Sequence, residues 1–345
     1  VSQATNQPNL KRRRPTQADV AQLAGVSQTA VSLILNKADP TIPDETRQRV
    51  LAAAQTLGYV PDRAARGLRT NKSYTIASII PSITNPFYPA FERGIQDVAE
   101  EHEYNLVIYN SDGIAEKERR ALLSAQQSRV EGLIVVLFQL GARSLLPLLD
   151  QNIAVVRLES HYKEPGEAPL DNLYIDNIAA ARAAVTHLIQ RGHRRIGVLA
   201  RNEGPGKVRV LGYHQALAAH CLAPDDTLMQ QGEFTEEGGY EAMQRLLDLS
   251  ERPTAVFAAN DMMALGAMLA IQEAGLKVPH DIAVVGFDDI PTARLVNPPL
   301  TTVTHFQVDL GRRAAELLFE RLTGAAPPHG RTVEMPYQLV VRKSA

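Results

Sequence analysis

The chain of 345 residues contains one cysteine, Cys221. A lone thiol excludes a disulfide framework and any four-cysteine metal site, and Cys221 reads as an inert, partly buried residue. No run of about 18 consecutive apolar residues is present, so no membrane-spanning segment is expected. Catalytic signatures are missing too. There is no GxSxG elbow and no HExxH, and GPGK at 204–207 lacks the spacing and the Ser or Thr that a phosphate-binding Walker loop needs. No glycine-rich dinucleotide fingerprint follows the first strand. His161, His187, His214 and His220 have no metal-ligand spacing. The expectation is therefore no enzyme, no cofactor and no metal. Lys11–Arg14 is followed by polar sequence and not by an apolar run, which does not read as a secretory signal and leads to the expectation of a cytoplasmic protein.

What the chain does have is an uneven charge distribution. Residues 1–70 carry ten Lys and Arg against five Asp and Glu, so a net charge of −2 divides into +5 there and −7 in the remainder. A basic head on an acidic body suits local attraction to phosphate. Residues 1–15 have no hydrophobic period and are expected to be a disordered basic tail.

Residues 16–36, TQADVAQLAGVSQTAVSLILN, have the layout of two short helices joined by a tight turn at Gly25. Thr16 and Asp19 can form a capping box, and Ser27 can cap the second helix. Val20, Leu23 and Ala24 are expected to face inward from the first helix, as are Val31, Ile34 and Leu35 from the second. Gln28, Thr29, Ser32 and Leu33 then face outward. In a helix-turn-helix the second helix enters the DNA major groove with its N-terminal residues against base edges. Gln28 can bond adenine in bidentate fashion, and Leu33 can meet a thymine methyl. A third helix follows Pro43, opened by Asp44 and Glu45 and ended by Gly58. Val50, Leu51, Ala54 and Leu57 are expected to pack it, with Thr46 and Arg47 as phosphate contacts. This DNA-binding head is bounded at 16–60.

Residues 61–73 read as a hinge. DRAARGLRTNKS is too short for a stable isolated helix, and Gly67 weakens it further. It is expected to fold on binding. Arg63, Ala64 and Leu68 are its candidate DNA contacts, with Leu68 placed to act as a minor-groove wedge.

From residue 74 the pattern changes to alternating strands and helices. Strand-like runs lie at 74–81, 105–110, 132–138, 153–159, 195–200, 255–260 and 282–288, with helical stretches at 89–103, 116–129 and 177–192. This pattern argues two doubly wound parallel α/β units with a seam near 170–176. Ligands in such folds bind beyond the carboxyl ends of strands. The candidates by that rule are Asn85, Phe87, Tyr88, Arg157, Glu159, Asn260, Asp261, Asp288 and Asp289, with Arg209 just inside the helix after RNEGPGK. Amides, carboxylates, a guanidinium and a ring suit a small polar, hydroxylated molecule. An exported solute-binding protein, a sugar kinase or dehydrogenase, and a constitutive nucleoid-type binder are the rival readings. The first leaves the basic head unused, the second lacks a nucleotide loop, and the third would show no effector response.

The chain resembles the lactose repressor (LacI) family of bacterial transcription regulators. The resemblance rests on DVAQLAGVSQTAVSLILN (19–36), ETRQRVLAAAQTLGYVPDRAARGLRT (45–70), IIPSITNPFY (79–88), HLIQRGHRRIGVLA (187–200), RVLGYHQAL (209–217), NDMMALGAMLAIQEAGLKVPHDIAVVGFDD (260–289) and PLTTV (299–303). It implies an all-α helix-turn-helix head on a periplasmic-binding-protein-like body of two lobes (type I). These are expected at 74–174 with 301–328 and at 175–300 with 329–345. It further implies a homodimer on a near-palindromic operator in the bacterial nucleoid, controlled by a small-molecule effector such as a sugar, sugar acid or sugar phosphate, with a corepressor-dependent regulator responding to a non-sugar metabolite as the alternative. No membrane partner is implied. Arg209 and Asp261 stand where the family holds its effector, and Phe87 at an aromatic lining position. Leu33 departs from the Arg or His that often reads guanine. Ser82 replaces a frequent aspartate at the pocket. Arg157 stands at a usually apolar position, where with Arg209 and Lys207 it would favour an anionic effector. No leucine heptads follow the final strand, VEMPYQLVVRKSA, so a dimer is the expected state.

Overall fold

The computed structural model describes Arg13 and residues 15–35, 41–60 and 72–345. The expected hinge contacts Arg63, Ala64 and Leu68 and most of the expected tail lie outside these residues. The chain divides into two compact units, 1–73 and 74–345.

In the first unit, α1 spans Gln17–Ala24, α2 spans Gln28–Leu35 and α3 spans Asp44–Leu57. The capping box at Thr16 is complete: the Asp19 carboxylate accepts from the Thr16 backbone N–H at 2.7 Å, while the Thr16 hydroxyl oxygen accepts from the Asp19 N–H at 3.4 Å. The Thr16 hydroxyl, which donates to the Asp19 carboxylate at 2.7 Å, then the Thr16 N–H and Arg13, hold the Asp19 carboxyl below its ordinary range. Gly25 ends α1 at φ 67, in the left-handed region where a Cβ is costly. Ser27 Oγ then accepts from the Ala30 N–H at 3.1 Å and starts α2.

The small core is Val20, Ala21, Ala24, Val31, Ile34, Val50, Ala53 and Ala54, with Leu35 and Leu57 packed at its edge. Two expected core residues are not in it: Leu23 is 53% and Leu51 49% exposed. Ala21 and Ala53 take the inward positions instead, since at 100° per residue Leu23 lies on the far side of α1 from Ala21.

In the second unit, β1 (Thr75–Ile80), α4 (Phe87–Glu101), β2 (Asn105–Asn110), α5 (Ala115–Gln127), β3 (Gly132–Val135), α6 (Leu146–Leu149), β4 (Ala154–Glu159) and β5 (Leu170–Ile175) form the first run. Asp176 then accepts from the Ala179 N–H at 3.0 Å and caps α7 (Asn177–Gln190). The second run continues with β6 (Ile196–Ala200), α8 (Gly204–Ala219), β7 (Met229–Gln231), α9 (Glu236–Leu247), β8 (Ala255–Ala258), α10 (Asp261–Glu273) and β9 (Ala283–Val285). The chain ends through β10 (Thr302–Thr304), α11 (Gln307–Leu322), β11 (Thr332–Met335) and β12 (Gln338–Val340).

One six-stranded sheet has the order β11-β5-β4-β3-β1-β2, and a four-stranded sheet has the order β7-β6-β8-β9. Every pairing within both is parallel. Buried residues such as Ile76, Phe91, Ile134 and Leu318 fill one face of the first sheet, and Ala77, Ile79, Leu122 and Leu133 the other. Two further clusters enclose the second sheet in the same way. Among the described residues, no single helix is long and apolar enough to cross a membrane.

The returning chain differs from the expected lobe limits. Residues 301–304, expected in the first lobe, bridge Val285 and Asp288 beside the second sheet, and β10 pairs with β12. Residues 332–335, expected in the second lobe, pair with β5 in the first sheet. The expected terminal strand is therefore two strands in different lobes, divided at Pro336, which has no N–H to continue a ladder. α11 packs on α4 in the first lobe through glycines. A Cβ at Gly311 would lie 1.9 Å from the Phe91 carbonyl oxygen, and one at Gly94 would lie 2.0 Å from that of Val308. The chain thus passes between lobes after β5, between β10 and α11, and between β11 and β12.

Candidate functional site

Two regions carry chemistry. In the first unit, Gln28 and Thr29 are exposed in the first turn of α2, with Ser32 and Leu33 half-buried beyond them. Leu33 is absent from the core cluster. Thr46 and Arg47 stand in the first turn of α3, where Arg47 lies 4.0 Å from Asp44. Ser27 and Thr16 hold the ends of α2 and α1 through the caps described above.

In the second unit, the carboxyl ends of both sheets meet at two adjoining cavities. The larger, of about 510 Å³, is bounded by Phe87, Tyr88, Phe138, Leu158, Arg209 and His305, with Glu159, Ser160 and Asn177 at its polar margins. The smaller, of about 280 Å³, is bounded by Asn85, Phe234, Asn260 and Asp288 and shares Phe87, Tyr88, Phe138 and Arg209 with the first.

Arg209 links them. α8 starts at Gly204, earlier than expected, so GPGK forms its first turn and Arg209 its second. The guanidinium is 6% exposed, donates through Nε to Asn177 Oδ1 at 2.8 Å and also donates to the Ala259 carbonyl. Nη2 lies 3.4 Å from Asp288 Oδ1, and Cζ sits 3.8 Å above the centre of the Phe287 ring. Burial pulls the Arg209 ionisation down, opposed chiefly by Asp288. Burial pushes the Asp288 carboxyl up to about 6, opposed by Arg209.

Asp288 has φ 114 and Asp289 φ 54, two consecutive non-glycine residues with positive φ. Such backbone costs of order 1–3 kcal/mol per residue and persists only where its surroundings hold it. Here it turns the Asp288 carboxylate toward Arg209, while Asp289 bonds Arg342 at 2.6 Å. Asp289, a candidate by the strand-end rule, lines neither cavity. Asp261 does not reach them either. It is fully buried, accepts from the Ile290 N–H at 2.9 Å and from the Thr302 hydroxyl at 2.5 Å, and ties α10 to the chain return. Burial, then the neighbouring Asp288, push its carboxyl well above the ordinary range.

Asn260 caps α10 by accepting from the Met263 N–H at 2.9 Å and borders the smaller cavity. Asn85 also borders it, fixed by accepting from the Phe87 N–H at 3.0 Å. Ser82 borders neither cavity. Its Oγ accepts from the N–H groups of Thr84 and Asn85 at 3.3 and 3.2 Å and so shapes the turn that presents Asn85. Arg157 is likewise outside both cavities and is ion-paired with Glu159.

His305 was missed, because nothing in PLTTVTHF marks it. It sits where the chain passes between lobes, 1% exposed, with neither ring nitrogen partnered among the described residues. Burial, reinforced by Arg209, pushes the imidazole ionisation well below its ordinary value. Phe138 was missed although it ends the run GLIVVLF, where the strand-end rule applies. Cys221 is exposed, not partly buried, at φ 55. Among the described residues, no group of three or more His, Cys, Asp or Glu could hold a metal ion.

A helix-turn-helix with an exposed reading face, on a chain whose body has a cleft between two doubly wound lobes, defines a DNA-binding regulator with a solute-binding type of body. Residues 16–62 match "Bacterial regulatory proteins, lacI family", and residues 185–345 match "Periplasmic binding protein-like domain". The chain is 35% identical over 341 residues to the HTH-type transcriptional repressor CytR of Escherichia coli, covering 95% of this chain and 96% of that one. It is 34% identical over 330 residues to the HTH-type transcriptional repressor PurR of Mannheimia succiniciproducens, covering 94% and 97%. The structure of the lac repressor dimer bound to operator and the anti-inducer ONPF superimposes with a TM-score of 0.85 at 29% identity, covering 96% of this chain and 99% of that one. The chain belongs to the lacI family of bacterial regulatory proteins, and it is a transcriptional regulator.

Proposed function

We propose that the protein is an effector-controlled repressor of carbohydrate-metabolism genes. It binds a near-palindromic operator as a homodimer in the bacterial cytoplasm and nucleoid, and a small-molecule effector in the cleft sets its operator affinity. Gln28, Thr29, Ser32 and Leu33 read bases, while Thr46 and Arg47 meet phosphates. Arg63, Ala64 and Leu68 contribute from the hinge. Arg209, Asp288, Asn260 and Asn85 hold the effector.

The observation that carries this reading is the Arg209–Asp288 pair, buried at the meeting point of both cavities. A buried guanidinium and carboxylate are costly to desolvate, and they suit a site that supplies donors and acceptors to a bound polar molecule. The lobes meet around this cleft and the chain passes between them three times, so a ligand that draws them together biases the whole body. A hundredfold change in DNA affinity requires about 2.7 kcal/mol of coupling, well within the reach of such a ligand.

The test begins with selection of duplexes from a random-sequence pool. Fluorescence anisotropy should then give at least a thousandfold preference for a palindromic consensus over scrambled DNA, of the order specific binders show. Equal binding to both would refute the reading. Gln28→Ala should relax preference at one symmetric base position, whereas Arg47→Ala should weaken all sequences alike.

A further inference from the structure

The cleft lies at the carboxyl ends of the strands. At the amino ends of the first sheet, where the chain enters the body from the head, a second cluster of polar and aromatic groups is built around Tyr74. Tyr74 is the first residue of the second unit and has φ 51, a conformation that a residue other than glycine keeps only when its surroundings hold it. Three contacts do so. The Tyr74 N–H donates to Glu131 Oε1 at 2.7 Å, and the Tyr74 carbonyl oxygen accepts from the Asn105 N–H at 2.9 Å. The Tyr74 ring lies against the ring of Tyr104, with centroids 5.6 Å apart.

Tyr104 closes the cluster. Its hydroxyl donates to Glu131 Oε2, the other oxygen of the same carboxylate, at 2.7 Å. Bonds to an ionised acceptor are the stronger kind. Glu131 is itself fixed at the start of β3. Its N–H donates to the Thr75 carbonyl at 2.9 Å, and its carbonyl accepts from the Ala154 N–H at 3.0 Å. Tyr104 also meets Phe319 of α11 edge-on, with centroids 5.1 Å apart, and the His102 ring stacks on Phe319 at 4.0 Å. α11 begins at the other end of the lobe, where Gln307 donates to the Asp288 carbonyl beside the cleft. At 1.5 Å per residue its 16 residues span about 24 Å. The entry point is therefore braced by the same helix that meets the second lobe.

The peptide plane between Ser73 and Tyr74 is rigid, so a bond that fixes the Tyr74 N–H also fixes the direction in which the chain leaves the body. We propose that Glu131 is a positioning residue for DNA binding. With Tyr74 and Tyr104 it clamps the point where the linker joins the body, so that the two heads of a dimer are offered to DNA at one half-site spacing. This rests on the reading of the protein as a homodimer on a palindromic duplex. A loose joint lets each head sample a wider volume, which lowers the effective concentration of the second head at its own half-site and makes neighbouring spacings nearly equivalent.

The test is fluorescence anisotropy of the full-length protein on labelled duplexes. These are the selected consensus, versions with one base pair inserted or removed between the half-sites, and a single half-site. One base pair moves a half-site about 3.4 Å along the duplex and about a tenth of a turn around it. The unaltered protein should bind the consensus at least tenfold more tightly than either altered spacing. Glu131→Ala should reduce that ratio to threefold or less and leave binding to the single half-site unchanged. Glu131→Gln should recover part of the ratio, because its amide oxygen still accepts from the Tyr74 N–H. Tyr74→Gly removes the ring at a φ that glycine takes freely, and should also reduce the ratio, so the test stands if Glu131→Ala fails to fold.

A folded Glu131→Ala or Tyr74→Gly that keeps the full ratio would overturn the proposal, as would an unaltered protein indifferent to spacing. A loss that falls equally on the single half-site would mark ordinary destabilisation and would overturn it too. An unaltered protein that binds the single half-site as tightly as the consensus would overturn the two-half-site reading itself.

Discussion

Glu92 should make the first lobe less stable as pH rises. Its carboxylate lies between α4 and the first sheet, 6% exposed, where Oε1 accepts from the Ser78 hydroxyl at 2.6 Å. Oε2 has no partner among the described residues. Burial pushes the carboxyl up to about 7 from an ordinary 4.5, and the Ser78 hydrogen bond only partly opposes this. A folded-state value above the unfolded one gives a contribution that is fully present below the unfolded value and lost as pH rises through the folded value. Between pH 5 and pH 8 the loss is about 2–3 kcal/mol.

Glu92→Gln keeps the acceptor for Ser78 and removes the ionisation. The variant and the unaltered protein should therefore be nearly matched at pH 5. At pH 8 the variant should be the more stable by about 2–3 kcal/mol. Urea midpoints at both pH values, taken at one fixed protein concentration, give the comparison. Titrations elsewhere cancel in the difference. A gap of the same size at both pH values would refute the reasoning.

Arg209→Ala should abolish effector response and leave operator affinity within a few-fold, as read by anisotropy with and without ligand, because the head lies in a separate compact unit. Asp171→Asn should cost about 3–5 kcal/mol in urea unfolding, the usual penalty for breaking a buried ion pair. Asp171 is fully buried and accepts from Arg321 Nε and Arg331 Nη2, each at 2.7 Å, joining β5 to α11 and to the chain just before β11. Burial pushes that carboxyl up, but the arginines outweigh it and hold it below the ordinary range. Its stabilisation should therefore fade as acid is added, the opposite sense to Glu92. Gly311→Ala should lower the melting temperature through a loss of about 2 kcal/mol or more, since the new methyl would press on the Phe91 carbonyl oxygen. A melting temperature that does not move would show that α4 and α11 can separate freely.

The head was legible because its signals are local. Thr16, Asp19, Gly25, Ser27 and Gly58 each act within a few residues, and capping and left-handed turns leave marks at that range. Leu23 and Leu51 were misread because hydrophobic identity alone does not say which side of a short helix packs when neighbouring alanines permit a closer approach. In the body, buried parallel strands such as TIASII and GLIV stand out as apolar runs. The three-residue strands at 229–231 and 302–304 are too short to carry a pattern.

The cleft was legible as a place, since strand ends converge there, but not in its detail. Asp288 and Asp289 are chemically identical in the sequence. Two positive φ angles decide that the first faces Arg209 and the second Arg342. Asp261 follows a strand end, yet its carboxylate is consumed by the Ile290 N–H and Thr302, partners supplied by a distant return of the chain. Arg157 lines neither cavity, and its near neighbour is Glu159, two residues on along the same strand. His305 enters the site only because the chain passes between the lobes at that point, a tertiary fact with no local sign.

Occupancy of the cleft should set DNA affinity. The measurement is fluorescence anisotropy of the full-length protein on its selected duplex, with and without a panel of sugars, sugar acids and sugar phosphates. One compound should move the operator Kd at least tenfold, upward for an inducer or downward for a corepressor, and Arg209→Ala should abolish the shift. A compound proved by calorimetry to bind the cleft, yet leaving operator Kd unchanged, would contradict it.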